Sequence, residues 1–210
     1  VGESGSGKTV LAQGIMRLNP DVRFTGNIRY QEQDLLSLPE KQLAKIRGRD
    51  IGMVFQEPMT ALNPVYTVGN QIAEVYTQHL GLTRKQAWQA AINILRETGI
   101  QDAASKVKAY PFQLSGGQRQ RAMIAMAVAA SPKLLIADEP TTALDVAVQA
   151  QIVQLLQRLQ AEYQMALLYI SHDLRLVERF ADEVAVMQQG HVGEHAPSAV
   201  LFQLAGHPYT

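Results

Sequence analysis

The residues Val1-Gly2-Glu3-Ser4-Gly5-Ser6-Gly7-Lys8-Thr9 fit the spacing G-x-x-x-x-G-K-[ST], with Gly2, Gly7, Lys8 and Thr9 in the fixed places. Few patterns restrict a fold so tightly. The pattern calls for a strand before the loop and a helix after it, so the chain must supply an α/β layer around this segment. Gly2, Gly5 and Gly7 reach backbone angles closed to other residues, and Glu3, Ser4 and Ser6 complete a loop whose N–H groups curl around a β-phosphate. The Lys8 ammonium can extend to the β- and γ-phosphates, and the Thr9 hydroxyl is placed to ligate a bridging Mg²⁺. Val10, Leu11, Ile15 and Met16 continue as one apolar face of a helix, whose N-terminal dipole favours anions.

With 210 residues, 47% of them hydrophobic, the chain can bury one sizeable core. Nineteen basic and nineteen acidic residues cancel to +0, so no overall field attracts it to nucleic acid or anionic lipid. It has no cysteine, which excludes disulfides and thiolate metal sites. The longest apolar run, 122–130, is about half of what crossing a bilayer takes. Because the chain starts at Val1 and shows no strand ahead of the loop, it reads as a piece of a longer protein.

Phe24-Thr25-Gly26-Asn27-Ile28-Arg29-Tyr30 alternates around a glycine and predicts an edge strand. Residues 39–47 predict a short helix with Leu43 and Ile46 inward. Ile51-Gly52-Met53-Val54-Phe55 then predicts a buried strand ending at Gln56, and an amide at that end of an open α/β sheet projects into the ligand crevice. Over 65–130 the period turns helical. Val68, Ile72, Val75 and Tyr76 share one face, and Ala87, Trp88, Ala91, Ile94 and Leu95 share another, with Thr83 as N-cap and Gly99 just past the end. This block divides the chain into a nucleotide-binding core, 1–64 with 131–210, and an inserted helical subdomain, 65–130.

The block closes on Leu114-Ser115-Gly116-Gly117-Gln118, where a serine and two glycines at a helix start offer free N–H groups to a second anion. Two anion cradles in one chain is the unusual feature. Lys133-Leu134-Leu135-Ile136-Ala137 predicts a buried strand tipped by Asp138-Glu139. Asp138 can hold the Mg²⁺ shell opposite Thr9, and Glu139 can polarise a water aimed at the γ-phosphorus. Ala143-Leu144-Asp145 leads into a helix over 146–163. The next strand ends in Ser171-His172-Asp173, where the imidazole can donate to a γ-phosphate. Residues 183–193 predict a hairpin turning at Gly190, and 197–204 a last short helix. His79, His191, His195 and His207 lack metal-ligand spacing.

These motifs, in this order, resemble the ATP-binding-cassette (ABC) ATPases across essentially the whole chain. The resemblance implies a P-loop NTPase (RecA-like) fold, a mostly parallel sheet with an inserted α-helical subdomain, and ATP with Mg²⁺ as ligands. It also implies pairing with a second cassette, identical or homologous, so that Ser115, Gly116, Gly117 and Gln118 meet the ATP on the partner's phosphate loop, with Asp145 near the shared interface. In these terms Glu139 is the general base, His172 the γ-phosphate sensor, and Gln56 a member of the metal and water shell alongside Thr9 and Asp138.

A narrower resemblance lies in 51–64, 68–74 and the closing His-Pro-Tyr-Thr, which are similar to the ATPases of bacterial oligopeptide, dipeptide and nickel importers. It implies a peripheral subunit on the cytoplasmic face of the inner membrane, two transmembrane permease subunits received by a groove around 60–68, an extracytoplasmic solute-binding protein, and further C-terminal sequence. Nucleic acid is not among the expected partners. Two other readings stay open from the sequence: a soluble ABC ATPase of translation or DNA maintenance, and a regulatory module that binds nucleotide without turnover.

Overall fold

A computed structural model describes residues 1–142, 144–204 and 206–207; Ala143 and the 208–210 end of the His-Pro-Tyr-Thr run lie outside the described residues. In chain order the elements are α1 (Lys8–Met16), β1 (Arg29–Tyr30), β2 (Gln33–Asp34), α2 (Glu40–Ile46), β3 (Ile51–Val54), α3 (Pro58–Ala61), α4 (Val68–Leu80), α5 (Arg84–Glu97) and α6 (Ala103–Lys106). There follow α7 (Gly116–Val128), β4 (Leu134–Asp138), α8 (Val146–Tyr163), β5 (Ala166–Ile170), α9 (Leu174–Glu178), β6 (Glu183–Gln188), β7 (His191–Pro197) and α10 (Ser198–Gln203). The chain forms two compact units, Val1–Leu38 with Tyr169–Thr210, and Pro39–Leu168.

In the first unit the phosphate-loop segment is stitched to β6. The Val1 amino nitrogen donates to the Ala185 carbonyl at 2.8 Å, and the Met187 N–H donates to the Val1 carbonyl at 2.7 Å. β6 and β7 form an antiparallel hairpin through Gln189 and Gly190, both at positive φ (48° and 82°), the backbone of a two-residue primed turn. Val177, Val184, Val186 and Leu201 bury together beneath Val1, Tyr169 and Phe202.

Two expectations fail in this unit. Val10 and Leu11 do not face inward along α1; they are 52% and 46% exposed, and the buried line runs through Lys8, Ala12 and Met16. The loop fixes that choice: burying Lys8 turns its i+4 and i+8 neighbours inward with it. Of 24–30 only Arg29 and Tyr30 join a ladder, pairing with Gln33 and Asp34. The Asp34 carboxylate accepts the Ile28 and Leu36 N–H groups, taking up backbone donors that a longer strand would need.

The second unit is built on the parallel pair β3 and β4, with Ile51 opposite Leu134 and Val54 opposite Ala137, in a three-stranded sheet ordered β3-β4-β5. All four β3 residues are buried, as an apolar run in a covered parallel sheet should be. α7 lies close on β3, since a Cβ on Gly52 would come within 2.3 Å of the Ala127 carbonyl. Each long helix here begins on a side-chain cap: Thr67 for α4, Thr83 with Gln86 for α5, Ser115 with Gln118 for α7 and Asp145 for α8. The apolar run 122–130 largely continues a helix that starts at Gly116.

Candidate nucleotide site

The phosphate loop lies in the first unit. Gly2 sits at φ 153°, where a Cβ would fall 2.1 Å from the Met187 carbonyl, so only glycine allows the loop to leave β6 at this point. Gly5 and Gly7 also take positive φ, 83° and 98°, and Gly7 is the N-cap of α1. The loop is braced by the Gly190 N–H, which donates to the Ser6 carbonyl at 3.0 Å. Lys8 is only 5% exposed, and its ammonium donates to the Gly2 and Glu3 carbonyls at 2.9 and 2.8 Å. Ser6 Oγ is buried and has no hydrogen-bond partner, a cost of about 1–3 kcal/mol unless something fills the loop. A phosphate oxygen is the acceptor that this hydroxyl, this ammonium and a helix N-terminus fit. Thr9, the first residue after the lysine, is half-buried.

His172 belongs to the same unit and is exposed. It stands between Ser171, whose Oγ accepts the Asp173 N–H at 2.9 Å, and Asp173, which caps α9 through the Leu176 N–H. That double turn fixes the backbone on both sides of the imidazole.

The second unit carries Gln56, Ser115 to Gln118, Asp138, Glu139 and Asp145. Gln56, exposed, follows β3 by two residues, and Asp138 ends the adjacent β4, so amide and carboxylates leave the sheet at the same end of neighbouring strands. Asp138 is 2% exposed. Glu139 adopts φ 43°, a left-handed conformation that costs a non-glycine residue roughly 1–2 kcal/mol. Its carboxylate accepts the Thr142 hydroxyl at 2.9 Å, and its carbonyl accepts the Thr142 N–H at 3.3 Å. Thr142 thus orients the carboxylate. No motif singled it out, and the only signal in the sequence was a hydroxyl three residues past an acid.

At the second cradle Ser115 Oγ accepts the Gln118 N–H at 3.3 Å, and Gln118 returns its side-chain oxygen to the Ser115 N–H at 3.1 Å. Arg119 also reaches back, donating to the Leu114 carbonyl at 2.8 Å. Gly117 lies against α8: a Cβ there would sit 3.2 Å from Val148 Cγ1. Asp145, exposed, accepts the Val148 N–H at 3.0 Å. Cradle and Asp145 therefore flank one contact between the starts of α7 and α8. Among the described residues no group of three or more His, Cys, Asp or Glu gathers as a metal site. Thr9 in the first unit, and Gln56 and Asp138 in the second, each carry an oxygen donor of the hard kind that Mg²⁺ takes.

A family model described as ABC transporter matches residues 1–142. The chain belongs to the ABC transporter family. This family member is 50% identical over its whole length to the peptidoglycan transport ATP-binding protein YejF of Agrobacterium fabrum, of which it spans 39%. It is also 50% identical to a Brucella abortus protein named, provisionally, as a peptide import ATP-binding protein, of which it spans 64%. The ATP-binding cassette MJ0796, solved as a dimer bound to ADP and Pi, superposes with a TM-score of 0.82 at 29% identity, covering 94% of this chain and 83% of that one. The α/β P-loop NTPase fold and the likeness to peptide-importer cassettes, both expected from the motifs, are thereby met.

Proposed function

We propose that the protein carrying this chain is the ATP-hydrolysing subunit of an ABC importer for peptides or related solutes. The observation that carries the reading is the pair of anion cradles: the phosphate loop with its buried Lys8 and unpartnered Ser6 Oγ, and the Ser115-capped start of α7. A head-to-tail pair uses both, each loop facing the other chain's Ser115-Gly116-Gly117.

In this reading Gly2 to Thr9 hold the β- and γ-phosphates of ATP, and Lys8 transfers its ammonium from the loop carbonyls to the phosphate oxygens. Glu139, oriented by Thr142, accepts a proton from the attacking water, and His172 donates to the γ-phosphate. Mg²⁺, when bound, neutralises developing phosphate charge, and Thr9, Gln56 and Asp138 are the residues that would hold it. Residues 65–130 act as the helical subdomain inserted into a core of 1–64 and 131–210.

No helix among the described residues is long and apolar enough to cross a membrane; in this reading permease subunits provide the path. Their docking face, in the same reading, lies in the second unit. Met59, Val65, Tyr66, Tyr110 and Phe112 are exposed apolar side chains, and the Val68 N–H donates to the Ala109 carbonyl, which links the stretch before α4 to the one before α7. Tyr110 and Phe112 stack at 5.6 Å. Two permeases at the cytoplasmic face of the membrane, supplied by an extracytoplasmic solute-binding protein, complete the assembly.

Glu139→Gln tests the reading. ATP turnover should fall by about 10²–10⁴-fold, the usual worth of a general base, while light scattering finds an ATP-dependent dimer that no longer dissociates. Equal, slow turnover by wild type and variant would favour the regulatory module and refute the hydrolase.

A further inference from the structure

The end of α5 is held by two arginines from different elements. Arg121 of α7 donates through Nη1 to the Thr98 carbonyl at 2.9 Å and through Nη2 to Gln151 Oε1 of α8 at 2.9 Å. Arg158 of α8 donates to the Glu97 carbonyl, and the Tyr163 hydroxyl donates to the Glu97 carboxylate at 2.6 Å. These carbonyls are the negative end of the α5 dipole, where cations are favoured. Gly99 makes the approach possible. At φ 83° it ends the helix in the left-handed region, and a Cβ there would come within 2.7 Å of Arg121 Nη1.

Arg121 lies one helical turn beyond Gly117, and Gln151 lies three residues beyond Val148. The α7–α8 contact therefore has two rungs, Gly117 on Val148 and Arg121 on Gln151, with Arg121 also anchored to the end of α5. α7 does not need this fork to stay folded. Ala122, Met123, Ile124, Ala125, Ala127 and Val128 are buried and supply the packing, whereas Gln151 is exposed and its hydrogen bond adds little stability. What the fork sets is the slide and rotation of the α7 tip relative to α8.

We infer that Arg121 is a positioning residue, its two-armed guanidinium fixing the Ser115-Gly116-Gly117 cradle in register with the Asp145-capped start of α8. The inference rests on the proposed function, in that the cradle must meet a phosphate held by a second subunit. Each chain then delivers its cradle and its Asp145 as one piece. A lysine carries the charge but cannot span Thr98 and Gln151 together.

The test compares Arg121→Lys, Gln151→Leu and Gln151→Glu in the full-length protein with wild type and Glu139→Gln. Gln151 is exposed, so its variants fold even where those of Arg121 do not. Arg121→Lys and Gln151→Leu should lower kcat by on the order of tenfold, the scale of a sub-ångström misplacement, with KM for ATP unchanged because the phosphate loop is untouched. Gln151→Glu, which gives the guanidinium a carboxylate partner, should keep wild-type kcat. An unchanged kcat in Gln151→Leu, a loss matched by KM or by unfolded fraction, or an equal loss in Gln151→Glu overturns the inference. If wild type is active and Glu139→Gln is not, that failure belongs to Arg121 alone; if wild type is idle, the hydrolase reading falls and takes this one with it.

Discussion

At Gly2 the loop and the strand lie too close to admit a methyl group. Gly2→Ala would place a carbon 2.1 Å from the Met187 carbonyl and must displace either β6 or the loop. The expected cost is about 1–3 kcal/mol, as for overpacking, read as a lower urea midpoint. Nucleotide affinity should fall as well, measured by calorimetry, because the same displacement moves the Ser6 and Lys8 groups. A second residue gives a pH signature. His79 has its pKa lowered from the ordinary 6.5, first by burial and then by Arg49, with Asp50 opposing, and it packs against Gly48. The sign follows from the depressed value: the unfolded chain binds the proton more readily, so stability is full above pH 6.5 and is lost as pH falls through the lower folded-state pKa. The urea midpoint should decline on acidification across that window, and His79→Asn should flatten the decline.

Two helices of the second unit begin on the same device, a hydroxyl and a glutamine three residues apart. Thr83→Ala and Ser115→Ala should each cost about 1 kcal/mol by chemical denaturation, yet only Ser115→Ala should depress ATP turnover, because in the proposed pair only that cap meets a phosphate. Equal effects on turnover would mean that the α7 tip serves only to start its helix. Elements of this kind were legible in the sequence: Thr83, Ser115 and Asp145 announce their helices by local chemistry, and the β3 and β4 runs announce burial by unbroken apolar character. What stayed hidden depends on distant partners. The inward face of α1 follows from burial of Lys8, not from the apolar pattern, and the failed strand at 24–30 follows from Asp34 taking backbone donors. The residues proposed for the site come from motif alone, whereas Thr142 and the Arg121 fork are bonds that no spacing rule reports.

For the molecule as a whole, the exposed aromatic face tests the importer reading. Tyr66→Ser with Phe112→Ser should leave the melting temperature unchanged or raised, since both side chains are solvent-exposed, while solute uptake by vesicles carrying the permeases falls several-fold. Unaltered uptake would move the docking face elsewhere. The interlaced division of the chain matters in another way. The loop's supports at Ala185, Met187 and Gly190 are supplied by its closing hairpin, with 184 residues separating the hydrogen-bonded Val1 and Ala185. On a ribosome adding about 5–20 residues per second, the loop waits roughly ten to forty seconds for them. The nascent protein therefore lacks these braces on the loop until the β6–β7 ribbon has cleared the exit tunnel.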